Sequence, residues 1–339
     1  MTAVVTGAAG FIGRHLVARL HADDRAVVGV DRRPTDVVGA GHLRADLLGA
    51  DPTVDTQLRS ADVVFHLAGS PGVRAGGYRV ARSRWRDNVL AGARVLRVTP
   101  PDVPVIVASS SAVYGGARRD GDGDTLRASR EDDVLCPRGG YARSKVLLER
   151  LCTRRAAVGG RVAVVRPFTV VGEGQRPDMA LARWLAAARR GEPLAIYGSG
   201  GRRRDLTDIR DVVEVLVRMW IRGCDATVNA GTGRPVTLDQ MVRVIADVMG
   251  TTPATTVEPA HRDEVVDTAA DTRSCAAQLG LVPTTDLHDV VARQLAVGGR
   301  TLAGGRHDHE ITERAARPSG GRVAGVVDRF GRMLGCGGR

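Results

Sequence analysis

Short apolar runs alternate with helical patterns through the first half of the chain. Residues 11–20, 88–98 and 141–157 space their apolar side chains as one buried helix face does. Short apolar strands separated by helices form parallel sheets that helices cover on both faces, so the pattern predicts an α/β fold with a doubly wound sheet. The runs that predict strands are residues 3–5, 26–30, 63–67, 103–108 and 161–165.

The pattern changes after about residue 175. Helical stretches at residues 179–190, 212–221 and 238–249 now alternate with short apolar runs at residues 194–196 and 226–228. This alternation predicts a smaller, mixed α/β lobe. The predicted organisation is a main domain at residues 1–172, to which some later segments return, a lobe at 173–298, and a Gly/Arg-rich, mobile tail at 299–339.

A glycine-rich turn follows the first predicted strand and opens the first helix. Gly7, Gly10 and Gly13 form a G-x-x-G-x-x-G pattern there. Glycines let the backbone approach a pyrophosphate, whose negative charge then faces the helix N-terminus. In this position the motif predicts a Rossmann-type dinucleotide-binding domain. The residues predicted to contact the cofactor at the turn are Gly7, Ala9, Gly10, Phe11 and Ile12.

Asp31 ends the second predicted strand, about 20 residues after the glycines. A carboxylate at this position accepts hydrogen bonds from the adenosine ribose hydroxyls and repels a 2′-phosphate, which favours NAD over NADP. Arg32 and Arg33 follow immediately and leave NADP open as an alternative. We therefore predict NAD as the cofactor, with Asp31 and Arg32 beside its adenosine.

Tyr141 and Lys145 lie four residues apart, on one face of a predicted helix. A cation beside a phenol lowers its pKa, which makes the phenolate available as a base near neutral pH. Lys145 is the only lysine among 49 cationic residues, so arginine has replaced lysine everywhere else. Ser109, Ser110 and Ser111 follow the fourth predicted strand, where doubly wound folds bind ligands. Ser110 is thus a candidate to hydrogen-bond a substrate hydroxyl beside Tyr141.

The formal net charge is +11, which raises the question of nucleic-acid binding. Part of the excess lies in the tail, the rest is spread thinly, and aromatic residues make up only 3% of the chain. We therefore expect no nucleic-acid partner. The five cysteines are far apart and form no C-x-x-C pair, so no metal site is predicted. Neither a signal peptide nor a membrane-spanning run is evident, and we expect a cytoplasmic protein.

Together these residues resemble the extended short-chain dehydrogenase/reductase family, in particular its nucleotide-sugar epimerases. The likeness covers residues 2–294, nearly the whole chain before the tail, and the combination of motifs is specific for the family. The segments that carry it are residues 7–13, 66–69, 71–74, 88–89, 109–115, 141–145, 166–169, 174–179, 204–205 and 229–231.

The resemblance implies a mechanism. Tyr141 would take the proton from the 4-hydroxyl of a UDP-sugar while hydride passes from C4 to NAD, and the 4-keto sugar would rotate and receive the hydride on its other face. Lys145 would lower the pKa of the tyrosine and hold the nicotinamide ribose, and Ser110 would hydrogen-bond O4. Members commonly form homodimers through the helices that here contain Asn88 and Tyr141.

The resemblance also implies that the lobe at residues 173–298 binds substrate, and it assigns binding positions. Asp46 and Leu47 match the segment beside adenine, and Thr169 and Arg204 match contacts to the uridine and diphosphate. Arg262 lies near a second phosphate-contacting arginine of the family, and Arg74 is a further candidate near the site. The remaining cofactor positions are Leu67, Ala68, Gly69, Asn88, Ser109 and Pro167.

Departures from relatives narrow the reaction. Nucleotide-sugar dehydratases and decarboxylases carry an acidic residue just after the catalytic hydroxyl residue, whereas this chain has Ser111 and Ala112. Without that acid, chemistry at C5 or C6 lacks its acid/base group, which favours simple 4-epimerisation. Thr169 with Arg176 looks like UDP-glucuronate 4-epimerases, in which these positions and the serine cluster surround the sugar carboxylate.

Several alternatives stay open. Arg176 could contact the nucleotide or cap a helix instead of holding a carboxylate. Val171 replaces a usual tyrosine, which leaves the identity of the sugar unsettled. UDP-glucuronate is the first choice of substrate, UDP-glucose or UDP-N-acetylglucosamine the second, and an NAD-binding scaffold without catalysis is the remoter alternative.

Overall fold

A seven-stranded parallel sheet organises the protein, with strand order β13-β8-β5-β4-β1-β2-β3. The structure is a computed structural model that describes residues 1–34, 41–72, 77–119, 126–260 and 265–303, the last six by their backbone. The described strands are β1 (Thr2–Thr6), β2 (Ala26–Asp31), β3 (Gly41–Arg44), β4 (Val63–His66), β5 (Val105–Ala108), β6 (Arg118–Arg119), β7 (Leu126–Arg127), β8 (Val162–Pro167), β9 (Thr169–Val171), β10 (Leu194–Tyr197), β11 (Arg203–Arg204), β12 (Leu206–Asp208), β13 (Thr227–Ala230), β14 (Val236–Thr237) and β15 (Thr255–Glu258).

Helices cover both faces of this sheet. A π-helical segment, Trp85–Leu90, joins α3 to α4, and a short 3₁₀ helix, Ser111–Tyr114, follows β5. The helices are α1 (Phe11–Ala22), α2 (Pro52–Ser60), α3 (Tyr78–Arg84), α4 (Ala91–Val98), α5 (Gly139–Ala157), α6 (Ala180–Arg189), α7 (Ile209–Ile221), α8 (Leu238–Met249), α9 (Arg273–Leu279) and α10 (Leu287–Ala303).

Two apolar layers enclose the sheet, and this explains why its central strands read as unbroken apolar runs. On one face, α1 and α7 pack Leu16 and Leu216 against Phe65 of β4. On the other face, α2, α4 and α5 bury Leu58, Val95 and Leu148. The predicted α/β fold with a doubly wound parallel sheet is confirmed.

The second half of the chain builds a further apolar cluster from α6, α8 and α10, with Trp184, Ile245 and Val290 at its centre. Its strands pair in twos: β10 with β15 and β9 with β12 in parallel, and β11 with β14 antiparallel. These mixed pairings agree with a smaller α/β lobe, while the boundaries 1–172 and 173–298 remain a prediction.

Two local expectations differ from the structure. The pattern assigns the run at residues 226–228 to the smaller lobe, yet β13 pairs with β8 at the edge of the main sheet. The helix expected from residue 88 begins at Tyr78, because α3 and the π-helical segment precede it. Arginines at half of the positions 79–86 conceal the apolar period that would have predicted this start.

The chain divides into two units, Met1–Arg300 and Thr301–Arg339. Most of the tail predicted at residues 299–339 lies outside the described residues, as do Arg74 and Arg262. None of the described helices has the length and apolar character needed to cross a lipid bilayer.

Candidate active site

The turn between β1 and α1 requires glycine at two places. Gly7 has a positive φ of 76°, and a Cβ added there would lie 2.6 Å from the backbone nitrogen of Ala68. A Cβ on Gly13 would lie 2.1 Å from the carbonyl oxygen of Gly7. Both distances are shorter than any non-bonded contact a side chain can make, so glycine lets the turn, the first helical turn and the loop after β4 pack closely.

The N-terminus of α1 is built to receive an anion. Its N-cap residue, Gly10, has extended backbone and no side chain that could accept the first helical N–H groups. These donors, at Phe11 and Ile12 among others, point along the helix axis, where the helix dipole favours negative charge. The glycine cradle and the uncapped helix therefore fit the pyrophosphate of a dinucleotide.

Asp31 at the end of β2 lies beside this turn. Its Oδ2 accepts a hydrogen bond from the Ala9 N–H at 3.1 Å, and its Oδ1 accepts one from the Arg33 N–H at 2.9 Å. Arg32 forms an ion pair with Asp87 at 3.2 Å. An adenosine ribose bound beside this turn would meet the Asp31 carboxylate, and Arg32 has an anionic partner within the protein. Both features suit NAD rather than NADP.

A second side of the cofactor site comes from β4, the π-helical segment and α5. Asn88 is buried, and its amide donates to the Ser70 carbonyl at 3.2 Å and to the Ser144 hydroxyl at 2.8 Å. A Cβ on Gly69 would lie 2.7 Å from the Asn88 Oδ1 and 3.6 Å from the Lys145 ammonium. The structure therefore brings together Gly69, Asn88 and Lys145, which the sequence separates by up to 76 positions.

The predicted adenine-side residues also lie on this edge. Asp46 forms an ion pair with Arg86 of the π-helical segment, and this hydrogen bond and charge outweigh partial burial to lower the pKa of Asp46. The Leu47 carbonyl accepts a hydrogen bond from Arg94 at 2.6 Å. Leu67 and Ala68 form the loop against which Gly7 packs.

Lys145 is buried, and its ammonium donates to the carbonyl of Ala108 at 2.7 Å. Burial lowers the pKa of Lys145 to about 8, although the charge of Glu149 opposes this shift. The prediction placed the Lys145 charge beside the phenol of Tyr141. Among the described residues, the cations that lower the pKa of Tyr141 are instead Arg176 and Arg84, so the role predicted for Lys145 stays a prediction.

Tyr141 and Ser110 form the hydroxyl pair that the sequence predicted. Burial raises the pKa of Tyr141, and a hydrogen bond with the Ser110 hydroxyl is the largest effect in the opposite direction. Ser110 is the N-cap of the 3₁₀ helix, and its oxygen accepts from the Ala112 N–H at 3.2 Å. This short helix starts at Ser111, and β5 ends at Ala108. The serine cluster therefore lies at the carboxyl end of β5.

A buried polar network that the sequence did not reveal supports this pair. Ser109 donates to Glu149, and Arg166 donates to both oxygens of the same carboxylate at 3.0 and 2.7 Å. Arg166 also donates to the Tyr114 hydroxyl at 2.8 Å. The available signal was that Glu149 lies one helical turn after Lys145, on the same face of α5. Bidentate charge-assisted bonds of this kind fix side-chain orientation.

The predicted substrate residues occupy several elements. Thr169 opens β9 beside Pro167, the last residue of β8, and its N–H donates to the Asp205 carbonyl at 3.0 Å. Arg176 pairs with both oxygens of Asp178 at 2.8 and 2.7 Å. Arg204 donates to the carbonyls of residues 265 and 266 at 2.9 and 2.6 Å, so in this structure it fixes that segment.

Comparison with known proteins identifies the group to which the chain belongs. Residues 3–231 match the model of the NAD dependent epimerase/dehydratase family. An uncharacterised UDP-glucose epimerase of Bacillus subtilis, YtcB, is 30% identical over 323 residues, which covers 87% of this chain and 97% of that protein.

Solved structures agree. MoeE5, solved with UDP-glucuronic acid and NAD, is 38% identical with a TM-score of 0.80 and covers 89% of this chain and 100% of its own. MoeE5 has also been solved with UDP-glucose and NAD. The UDP-glucuronic acid 4-epimerase of Bacillus cereus, with the same sugar nucleotide and NAD, is 26% identical with a TM-score of 0.81 and the same coverage.

The predicted resemblance and the predicted cofactor are thereby confirmed. The match spans the glycine turn, Asp31, Ser110, Tyr141 and Lys145. The chain belongs to the NAD-dependent epimerase/dehydratase family.

Proposed function

We propose that the protein interconverts UDP-glucuronate and UDP-galacturonate by epimerisation at C4. The observation that carries this proposal is the hydroxyl pair of Tyr141 and Ser110, on which the charges of two arginines, Arg176 and Arg84, act. The pair supplies proton transfer at a sugar hydroxyl, and Arg176 suits an anionic sugar.

Tyr141 is the proposed base that removes the proton of the 4-hydroxyl and returns it after the sugar has turned over. Ser110 would share its hydrogen bond between the Tyr141 hydroxyl and O4 and so hold both oxygens in line. NAD, when bound, supplies the reversible acceptance of hydride from C4. Lys145 and Asn88, which lie against Gly69, would orient the nicotinamide ribose.

The two residues after Ser110 favour epimerisation without further chemistry. Residues 111 and 112 are serine and alanine, on the short 3₁₀ helix that begins beside the catalytic pair. Neither side chain can act as the acid or base that removal of a group at C5 or C6 requires. The 4-keto sugar would therefore be reduced again at C4 and would not react further at C5 or C6.

The choice of a uronate rests on the cationic side of the site and on two structural neighbours. MoeE5 and the Bacillus cereus enzyme were both solved with UDP-glucuronic acid. UDP-glucose is the second candidate, because MoeE5 also binds it and YtcB is named for it. The homodimer and the cytoplasmic location expected from the sequence remain predictions.

A panel of UDP-sugars tests the proposal. The purified, NAD-loaded protein would be incubated with UDP-glucuronate, UDP-glucose and UDP-N-acetylglucosamine, and the products resolved by NMR. We expect UDP-glucuronate to reach an equilibrium mixture with UDP-galacturonate at the highest kcat/KM. Faster conversion of either neutral sugar would overturn the assignment of the substrate, and a protein that holds no NAD and converts no sugar would favour the scaffold alternative.

A further inference from the structure

Arg84, the last residue of α3, is a buried cation. Its side chain is among the least exposed of the charged groups, at 4% for the residue. Its Nη2 donates to the Gly72 carbonyl, and its Nε has no hydrogen-bond partner in the part of the chain that the structure describes. Among the described residues no carboxylate pairs with it. Such a group loses hydration without recovering an equivalent interaction, which is costly for folding.

The two other buried arginines of the described chain are satisfied. Arg166 forms a bidentate ion pair with Glu149. Arg155 donates to five backbone carbonyls and so closes the ends of neighbouring segments. Both arginines are explained by the segments that they hold together. Arg84 donates to one carbonyl among the described residues, and its guanidinium has further N–H groups that the described chain does not use.

The guanidinium of Arg84 lies at the active site. Its Nη1 is 3.4 Å from the position that a Cβ on Gly140 would take, directly before Tyr141 in the chain. Its Nη2 is 3.9 Å from the Cβ position of Gly72, and the Nη2 of Arg176 is 3.8 Å from that same point. The two arginines thus flank the Gly72 turn, but Arg176 pairs with Asp178, whereas Arg84 pairs with no carboxylate of the described residues.

We propose that Arg84 is a positioning residue of the reaction, whose fixed positive charge stabilises the phenolate form of Tyr141. The missing anion of Arg84 is then the tyrosine itself at the moment it acts as a base. This inference rests on the proposed function, because it takes Tyr141 as the base. It gives a role to a residue that the sequence motifs leave unassigned.

The other groups that face Tyr141 do not replace Arg84. Ser110 provides a hydrogen bond without charge, and Arg176 shares its charge with Asp178. Lys145, on the same helix, donates to Ala108, and burial lowers its pKa to about 8. A guanidinium, by contrast, stays protonated over the whole range in which a tyrosine titrates. Arg176 acts more strongly on Tyr141 than Arg84 does, and Arg84 adds a charge that no carboxylate of the described residues pairs with.

Tyrosine ionisation measures this role without any substrate. The chain has four tyrosines, so ultraviolet difference spectra of each protein against its Tyr141→Phe counterpart isolate Tyr141. NAD-loaded wild type, Arg84→Gln, Arg84→Lys and Arg82→Gln would be titrated, with circular dichroism as a check on folding. Arg82 is an exposed arginine of the same helix and serves as the matched control.

We expect Arg84→Gln to raise the pKa of Tyr141 by about one unit. Arg84→Lys should keep this pKa close to the wild-type value, and Arg82→Gln should leave it unchanged. The rising limb of kcat against pH should move to higher pH in Arg84→Gln by the same amount. At pH values below this rise, kcat of Arg84→Gln should be about tenfold lower than that of wild type. At pH values above it, the two enzymes should have the same kcat.

An unshifted Tyr141 titration in Arg84→Gln overturns the proposal, as does a loss of kcat that is equal at every pH. A selective loss of UDP-glucuronate turnover with an unchanged titration would also overturn it, because Arg84 would then contact the substrate. If the enzyme prefers another UDP-sugar, the proposed substrate fails, but the titration still reports on Arg84.

Discussion

The cofactor side and the substrate side of the site are built differently. Around the glycine turn, backbone atoms pack so closely that a single added Cβ has no room, and Asn88 uses its amide fully. Around Arg176, three buried polar atoms have no hydrogen-bond partner among the described residues, namely the Nε of Arg84 and both polar atoms of the Gln175 side chain.

The difference shows how the two sides are made specific. A dinucleotide is recognised mainly by backbone atoms. These atoms are rigid and bind the cofactor in the same way in every catalytic cycle. The sugar is met by long side chains with unused donors, which can adapt to the ligand and to its charge. We therefore expect changes on the cofactor side to weaken folding and NAD binding, and changes on the substrate side to alter rate, pH dependence and preference.

The largest effect should come from Tyr141→Phe, which removes the proton-transferring hydroxyl and leaves the cofactor side intact. Turnover should fall by about 10³-fold, the middle of the range for a general base. The amount of NAD that copurifies should not change, and absorbance after denaturation measures it. Substantial residual turnover would show that another group is the base and that the two sides are not separated in this way.

Gly7→Ala should destabilise the protein most, because it places a Cβ against Ala68 and strains a positive φ. Gly191→Ala is the matched control, since Gly191 has a φ of 68° and nothing within 4 Å of its Cβ position. Strain alone costs about 1–2 kcal/mol, and the overlap at Gly7 should add about 1–3 kcal/mol and reduce NAD binding. Thermal unfolding with and without added NAD measures both; equal losses in the two variants would exclude the close contact as the cause.

These two predictions concern residues that the sequence could identify, and the reason is local. The glycine turn, the apolar strands and the Tyr141–Lys145 spacing are set by neighbours in the chain, so a short window contains the whole signal. The lone lysine reinforced one of them. Arg84 had no such signal, because Arg79, Arg82, Arg84 and Arg86 share one stretch and only tertiary packing buries one of the four.

The pairing of Arg176 with Asp178 was also beyond the sequence, which offered a carboxylate, a nucleotide contact or a helix cap. The same is true of Glu149 and Arg166, whose bond joins α5 to β8. Contacts between elements depend on strand register and on helix rotation. An apolar pattern shows which face of an element is buried, but not which residues of the neighbouring element that face contacts.

Asn88 and Gln175 carry buried amides on the two sides of the site, and their contributions to the free energy of unfolding should differ. Asn88→Leu keeps the shape of the side chain but leaves the Ser70 backbone groups and the Ser144 hydroxyl without their partner, so we expect a loss of about 2–3 kcal/mol. Gln175→Met also keeps shape and removes an amide that has no described partner, so stability should change by less than about 1 kcal/mol. Urea denaturation compares the pair. A loss in Gln175→Met as large as that in Asn88→Leu would show that Gln175 is satisfied in solution.

The smallest effect is expected from Arg176→Ala, measured as the ratio of kcat/KM for UDP-glucuronate to that for UDP-glucose. A charged hydrogen bond to a carboxylate is worth about 1.5–3 kcal/mol, but Arg176 already pairs with Asp178, so we expect a fall in the ratio of about tenfold. Arg190→Ala is the control, because Arg190 forms the same two-pronged pair with Glu192 two residues later at 2.8 and 2.6 Å on an exposed surface. Arg190→Ala should leave the ratio unchanged. Equal losses on both sugars in Arg176→Ala would mean that Arg176 contacts the nucleotide, and the uronate would then depend on other cations of the site.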